Sequence, residues 1–409
     1  MLAVLAFTHF VLSLDAEAAK KAEAAKKAPV SPDAAELNAV NFPPYPPNMI
    51  YPVRVGIGNR ISSARVAVWT PGAVFVDFKP IFVLHPGLVY LIANGRITEY
   101  ATGRSCTLPM DQRSRISSQD FQIWCNNRWW RGSLEIIHFT NSLTVINLLD
   151  MENYLMGVVP SEMPSSWHQE ALKAQAVAAR SYACAHLGEG RSKWFKKEGY
   201  DLVPDVRDQA YKGRAAEALS TNAAIAATMG IILKDSGKVK AGFYRAWVGD
   251  AFENLNIRQK SVPSTVLEGL TGVKKIVGVT VKQWDANANA HSIQIMGAKK
   301  STEVYGIALA QRLGLTTAGI IDVRESGPDW IFTYRGPGNG ERGLSQHGAD
   351  MLAGRGWNFE QILRQYYQDP DGRLRLDYMD RYRARAAFRP LPVIPKQTSS
   401  TTTATSEED

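Results

Sequence analysis

The sequence predicts an α+β fold, with a β-rich N-terminal part followed by Ala-rich helices. Three observations carry this reading. Residues 53–150 break into short β-branched or aromatic runs separated by Gly, Asn and Pro. From about residue 150 the pattern changes, and alanine-rich stretches of helical length take over. The 409 residues are 45% hydrophobic, enough to bury one large core or two smaller ones.

At the N-terminus, LAVLAFTHFVLSL (2–14) is a short apolar run, too short to span a membrane as a conventional helix. Ala16-Glu17-Ala18 fits a small-x-small cleavage site, so residues 1–18 are read as a signal peptide, although without the usual positively charged start. No later stretch reaches eighteen uninterrupted apolar residues, which predicts an exported protein with no stable transmembrane segment. The hexamer AEAAKK occurs twice in 16–27 and suits a semi-rigid spacer. NFPPYPPNMIYP (41–52) carries five prolines and should be extended, so 19–52 reads as a linker.

VRVGI, ARVAVW, AVFVDF and VYLIA open a mostly antiparallel β structure. SLEIIHF and LTVINLL (133–139 and 143–149) flank Thr140-Asn141-Ser142 and predict a hairpin. Ser166 and Gln169 fit a capping box, so a helix is expected over 167–187. GRAAEALSTNAAIAATMG (213–230) reads as a second Ala-rich helix that stops at Gly230. IILKDSGKVKAGFYRAW then suggests a hairpin turning at Ser236-Gly237. Helices are expected at 302–315 and 358–368, and 386–409 reads as a disordered tail. Residues 53–385 are taken as one region, β-rich to 150 and mixed α and β after it.

The formal charge is +8, which suits anionic surroundings. It is dispersed, with no arm of consecutive Lys and Arg, and this argues against nucleic acid. Ten Trp and fifteen Tyr suit either flat sugar-binding surfaces or a core. Cys106, Cys125 and Cys184 form no CxxC pair and no zinc-spaced cluster. Cys106 and Cys125 share the β region and can form a disulfide if the protein is exported. Cys184 lies on the Ala-rich helix, as a buried small thiol.

VVPSEMPSSWHQEALKAQAVAARSYA (158–183) holds a single acidic side chain, Glu162, between Pro160 and Pro164, ahead of the Ala-rich helix. Two readings stand. A carboxylate before a helix N-terminus is favoured by the helix dipole. A loop fixed by prolines, with Val158, Val159, Met163 and Trp167 around it, also suits a general acid raised by desolvation.

The segment DMENYLMGVVPSEMPSSWHQEALKAQAVAARSYA resembles the signature of the stage II sporulation protein D family, which includes amidase enhancers of the cell wall. PVRVGI, RWWRGSLEI, LTVINLLDMENYL, DQAYKG (208–213) and GLSQHGADMLAGRGWNFEQILRQYY (343–367) resemble the family in the same order, over roughly residues 52–370. The resemblance implies a peptidoglycan lytic transglycosylase that cuts glycan strands between N-acetylmuramic acid and N-acetylglucosamine, in a cleft beside the Ala-rich helices. It implies Glu162 as a single catalytic acid and base, with a 1,6-anhydro product. It places Gln175 and Arg180 of the KAQAVAAR helix, Gln209 and Tyr211 of the Q-x-Y motif, and Ser345 and Gln346 in substrate binding. His347 beside them reads as a packing residue. No cofactor is expected; the implied partners are peptidoglycan glycan strands and a cell-wall amidase.

The chain also departs from the family. FYRAWVGDAFEN (243–254) keeps Tyr244, Gly249 and Glu253, but Arg245 stands where a histidine is expected and no cysteine is present, so no zinc is predicted. By register Gly340 and Glu341 replace a histidine and a glycine. Arg245 and Glu253 join the candidate substrate-binding residues. A hydrolase would need a second carboxylate, for which Glu253 and Glu341 are the candidates. A glycan binder that stimulates an amidase without cutting is the alternative to the enzyme.

Overall fold

Short two-residue turns shape the first half of the chain. Asp77-Phe78, Asn94-Gly95 and Asn126-Asn127 all have positive φ, the backbone that a tight hairpin between right-twisted strands requires. The computed structural model describes residues 34–380 apart from 48, 189, 249–255, 286–287, 316, 318, 337–342 and 368–372. The predicted signal peptide, the AEAAKK repeat, Glu253, Gly340, Glu341 and the 386–409 tail lie outside the described residues.

Twelve strands occupy 52–150: β1 (Pro52–Ile61), β2 (Ser63–Val68), β3 (Gly72–Val76), β4 (Lys79–Leu84), β5 (Val89–Ala93), β6 (Arg96–Glu99), β7 (Ser105–Thr107), β8 (Ser114–Ser118), β9 (Gln122–Cys125), β10 (Arg128–Arg131), β11 (Ser133–Phe139) and β12 (Ser142–Asp150). They form two six-stranded sheets, ordered β1-β12-β11-β8-β3-β4 and β10-β9-β2-β5-β6-β7. Every pairing within them is antiparallel, including the expected β11–β12 hairpin. Apolar residues of both sheets, such as Val74, Leu134 and Val145 of the first and Val66, Ile92 and Ile123 of the second, share one core. The Pro-rich segment packs on this region, with Phe42 edge-on to Phe75 and Tyr45 edge-on to Phe78. Cys106 and Cys125 are free thiols, on β7 and β9, with three strands between them in the sheet. Burial pushes the Cys125 thiol up to about 12.

Asp150 ends β12 and starts the first long helix. Its carboxylate accepts from the backbone of Glu152, and also from Ile50 (2.7 Å) and Tyr51 (2.9 Å). With α1 (Ala34–Asn38) ahead of the strands, this helix is α2 (Met151–Glu162). The Ala-rich helix α3 (Gln169–Ala185) follows. It begins at Gln169 rather than 167, with His168 at the cap; the expected Ser166 cap does not form. Instead the His168 N–H and ring Nδ1 both meet Asp350 Oδ1 at 2.8 Å.

The alanines of α3 do what small residues allow. Ala171, Ala174, Ala176, Ala178, Ala179 and Ala183 are all fully buried. A Cβ on Gly242 would sit 2.3 Å from the Ala178 carbonyl, so the chain at 242 crosses the helix backbone at a distance only glycine permits. The predicted helix at 213–230 is instead a single 3-10 turn (Arg214–Ala216) and α5 (Leu219–Ala227), after the short α4 (Phe195–Glu198). Gly230 does lie just beyond its end, with φ +74°. The hairpin at Ser236-Gly237 joins β13 (Ile231–Asp235) to β14 (Lys238–Val239).

Next, β15 (Tyr244–Arg245) pairs in parallel with β22 (Leu344–Ser345). The chain between them builds its own apolar core. Strands β16 (Asn256–Pro263), β21 (Asp329–Gly336) and β20 (Gly319–Ser326) form one sheet; β17 (Ile276–Trp284), β18 (Ala290–Gly297) and β19 (Ser301–Tyr305) form another. Helices α6 (Ser264–Thr271) and α7 (Gly306–Arg312) complete the unit. The expected helix over 302–315 therefore starts late. Residues 301–305 alternate in exposure and pair with β18, leaving only Gly306–Arg312 helical. Then α8 (Gln346–Gly354) and α9 (Phe359–Tyr366) pack on α3, and β23 (Leu374–Tyr378) pairs with β13. A capping box between Asn358 and Gln361 starts α9.

One buried ion pair ties these parts together. The Arg180 guanidinium, wholly inaccessible, grips the Glu152 carboxylate through Nε (2.9 Å) and Nη2 (2.7 Å) and donates to the Ile231 and Ile225 carbonyls. Glu152 also accepts from the Gly230 N–H at 3.1 Å. Arg180→Ala strands the buried carboxylate and should cost about 3–5 kcal/mol in urea unfolding. The Arg180→Met, Glu152→Gln pair should recover most of that loss.

Candidate functional site

The site begins with the way α2 ends. Pro160 lies inside this helix rather than in a loop, and Glu162 is its last residue. Met163 turns to extended backbone (φ −134°, ψ 135°), as the residue before Pro164 must. The dipole reading is therefore reversed. Glu162 sits at a helix C-terminus, where the partial charge is negative and opposes a carboxylate. Desolvation acts in the same direction and holds the Glu162 carboxyl above the ordinary glutamate range. Three groups offset this: the Ala210 N–H bonded to Oε1, the Tyr244 hydroxyl and the charge of Lys212.

Behind the carboxylate runs a buried polar relay. The Tyr154 hydroxyl donates to Gln209 Oε1 (3.1 Å), and Gln209 Nε2 donates to the Ala179 carbonyl (3.2 Å) and to the Tyr244 hydroxyl (3.1 Å). Tyr244 in turn bonds Glu162. Gln346 supports the same residue from the other side, its Nε2 donating to the Glu162 backbone carbonyl (3.0 Å) and to Gln175 Oε1 (3.4 Å). Gln175 is fully buried, and its own Nε2 has no hydrogen-bond partner among the described residues.

The candidate residues thus separate by accessibility. Gln175, Arg180, Gln209, Tyr211 and Ser345 are each no more than 1% exposed, so none is placed to touch a sugar. Arg180 pairs with Glu152 and does not orient Glu162. Tyr211 packs between Trp130 and Tyr154, lies over Gly157, and bonds Asn147 at 2.7 Å. Ser345 caps α8 by accepting from Gly348 (3.1 Å). Gln346 is nearly buried and acts on the Glu162 backbone. Arg245 is exposed on β15. Glu253 lies outside the described residues.

Tyr154 and the inward role of Tyr244 are absent from the sequence-derived site. Tyr244 lies between the exposed Phe243 and Arg245 and is itself only partly exposed. A second feature missed is an aromatic stack: Trp247 lies flat on His347 (3.9 Å between centroids, 4°), and His347 meets Trp167 at 4.7 Å. Among the described residues no group of three or more His, Cys, Asp or Glu could hold a metal. No helix among them is long and apolar enough to cross a membrane.

These features define an α+β protein whose candidate site is one desolvated carboxylate at a helix end. Comparison with known proteins agrees with the motifs. The profile of the family described as Stage II sporulation protein matches residues 140–234, which hold Glu162 and α3. The chain is 29% identical over 290 residues to stage II sporulation protein D of Bacillus amyloliquefaciens, covering 61% of this chain and 81% of that protein. It is 27% identical over 292 residues to an uncharacterized protein of Brachyspira hyodysenteriae, covering 63% and 74%. It is 38% identical over 111 residues to the amidase enhancer of Bacillus subtilis, covering 27% and 14%. At this modest identity the matches support a divergent relative of the stage II sporulation protein D family.

Because the Tyr244 hydroxyl stabilises the ionised carboxylate, Tyr244→Phe should move the Glu162 titration to higher pH. Carboxyl ¹³C chemical shifts followed against pH would check the direction.

Proposed function

We propose that this chain is an exported cell-wall protein and a peptidoglycan lytic transglycosylase, with Glu162 as its single general acid and base. The observation that carries the reading is the setting of Glu162. It is desolvated at a helix C-terminus, held by Ala210 and Tyr244, and the charge that acts on it is a cation, Lys212. Hydrolysis with two carboxylates would need a second acid at about 5–10 Å. Intramolecular attack needs only one.

In this mechanism protonated Glu162 gives its proton to the glycosidic oxygen as the bond from C1 breaks. An oxocarbenium-like centre develops on the muramic acid ring. The Glu162 carboxylate then takes the proton of that ring's C6 hydroxyl while O6 bonds to C1. A 1,6-anhydro end forms, Glu162 is protonated again, and no water is consumed. Tethering the nucleophile to the electrophile supplies much of the rate by proximity. The buried relay through Gln209 would hold Tyr244, and Gln346 would hold the helix end, so the carboxyl group keeps one pose.

The amidase enhancer match favours a second reading, a glycan binder that stimulates a cell-wall amidase without cutting. Mass spectrometry of peptide-free glycan strands separates the two. The enzyme gives anhydro-ended fragments, and Glu162→Gln lowers their formation about 100-fold or more with the fold intact. The binder gives none, with wild type and variant co-sedimenting equally with the strands. Cleavage should fall as pH rises through the raised Glu162 pKa, since the first step needs the protonated acid.

A further inference from the structure

The Ala210 N–H that meets Glu162 belongs to a stretch without regular structure. From 203 to 210 the chain forms neither helix nor strand, and Val206 near its middle is 98% exposed. Within it the Asp208 N–H donates to the Asp205 carbonyl (3.0 Å), and the Tyr211 N–H reaches the Pro204 carbonyl only at 3.4 Å. A segment so thinly held by its own backbone keeps one position only if side chains fix it.

Asp208 supplies that fixing. Its side chain is 1% exposed, and each oxygen meets two donors. Oδ1 accepts from the Tyr182 hydroxyl (3.0 Å) and lies 3.2 Å from Lys193 Nζ. Oδ2 accepts from Trp194 Nε1 (2.7 Å) and from the Val203 N–H (2.9 Å). The donors come from α3, from the chain just ahead of α4 and from the start of the stretch itself. Lys193 Nζ also donates to the Arg207 carbonyl (2.9 Å), next to Asp208. Only a carboxylate can accept on both sides at once, because an amide would turn its NH₂ group toward one pair of donors.

The next two residues carry this fixed point to the acid. Gln209 is fully buried and joins Tyr154, Ala179 and Tyr244. The Ala210 N–H then donates to Glu162 Oε1. Cα atoms two residues apart are at most about 7 Å from each other, so little play remains between the anchored carboxylate and that N–H. Among the described residues none of the four donors to Asp208 bonds Glu162 directly. We propose that Asp208 is a positioning residue for Glu162: it anchors the 208–210 segment so that the Ala210 N–H stays on the acid, and it has no contact with reacting groups itself. The proposal rests on Glu162 as the working acid, but not on cleavage.

The test follows the Glu162 carboxyl by ¹³C NMR against pH in the full chain, the resonance being assigned by its loss in Glu162→Gln. The groups that act on this carboxyl are the Ala210 N–H, the Tyr244 hydroxyl and Lys212, with the Tyr154 phenol coupled to it. Asp208→Asn has two opposed effects. Removing a nearby negative charge would by itself move the Glu162 titration to lower pH. Loosening the Ala210 N–H moves it to higher pH, because that bond favours the ionised form, and withdrawal of Lys212 on the same segment acts in the same direction. Asp208→Asn should therefore raise the midpoint by about 0.5–1 pH unit. Trp194→Phe, which removes one donor and keeps the carboxylate, should raise it by less. Asp201→Asn is the control. That carboxylate is also buried and accepts from the Gly188 N–H (2.7 Å) and the Arg54 N–H (3.0 Å), away from Glu162. It should lower stability in urea and leave the Glu162 titration unmoved. In glycan cleavage Asp208→Asn should lower kcat about 10-fold with KM within about twofold. If near-UV circular dichroism shows Asp208→Asn unfolded, the sign of the Trp194→Phe shift decides. An unchanged or lowered midpoint in the folded variants, or an equal rise in Asp201→Asn, overturns the proposal. A raised midpoint in a protein whose wild type releases no anhydro-ended fragments would instead overturn the transglycosylase and leave Asp208 its role.

Discussion

Four separate parts of the chain meet at one guanidinium. Arg180 on α3 takes the Glu152 carboxylate from the first turn of α2, the Ile225 carbonyl from α5 and the Ile231 carbonyl from β13. The Gly230 N–H closes the ring on Glu152. A charge taken wholly out of water is tolerated only when its hydrogen bonds are satisfied by fixed groups. These partners lie up to 79 positions apart in sequence, so the requirement constrains tertiary structure. It sets the start of α2 against the middle of α3, and thereby sets where this twelve-residue helix ends, at Glu162.

From that end the site follows by contact. Packing of α2 on Tyr211 is close enough that a Cβ on Gly157 would lie 2.5 Å from the ring. Two residues before Tyr211, Gln209 carries the link between Tyr154 of α2 and Tyr244 of β15. Close passage of Gly242 over Ala178 brings Tyr244 to that link. Gly157 and Gly242 each permit a close approach, the first to the Tyr211 ring and the second to the α3 backbone at Ala178. The alanine-rich surface of α3 is thus a means of bringing polar side chains close to Glu162, in addition to filling a core.

Much of this was legible in the sequence because it is local. The strand runs of 53–150, the 133–149 hairpin, the Ser236-Gly237 turn and the last helix depend on neighbours a few residues apart. Errors arose where distant contacts decide. Ser166 has a good capping pattern, yet Asp350 from α8 takes up His168 and the helix starts later. Pro160 suggested a loop, but a proline near the end of a helix costs only one late backbone bond, and Pro164 ends it. Arg180 is a long cation among alanines, and its burial there needs a reason. The reason, Glu152, lies 28 residues away on another helix, and no local pattern distinguishes it from Glu162.

The same contrast bears on the lone acid. Among the described residues the carboxylates packed around α2 and α3 already have partners. Asp208 is taken by Tyr182, Trp194, Val203 and Lys193, Glu152 by Arg180, and Asp350 by His168. Each of these carboxylates is engaged by a fixed donor or cation. Glu162 differs in kind: its neighbours are a backbone N–H, a phenol and the cation Lys212, and desolvation raises its carboxyl pKa. Around α2 and α3 these carboxylates are engaged, whereas Glu162 is offset only in part, by the Ala210 N–H, the Tyr244 hydroxyl and Lys212. Among the described residues no arginine pairs with Glu162. Direct pairing would lower the carboxyl pKa and remove the proton that the acid must donate.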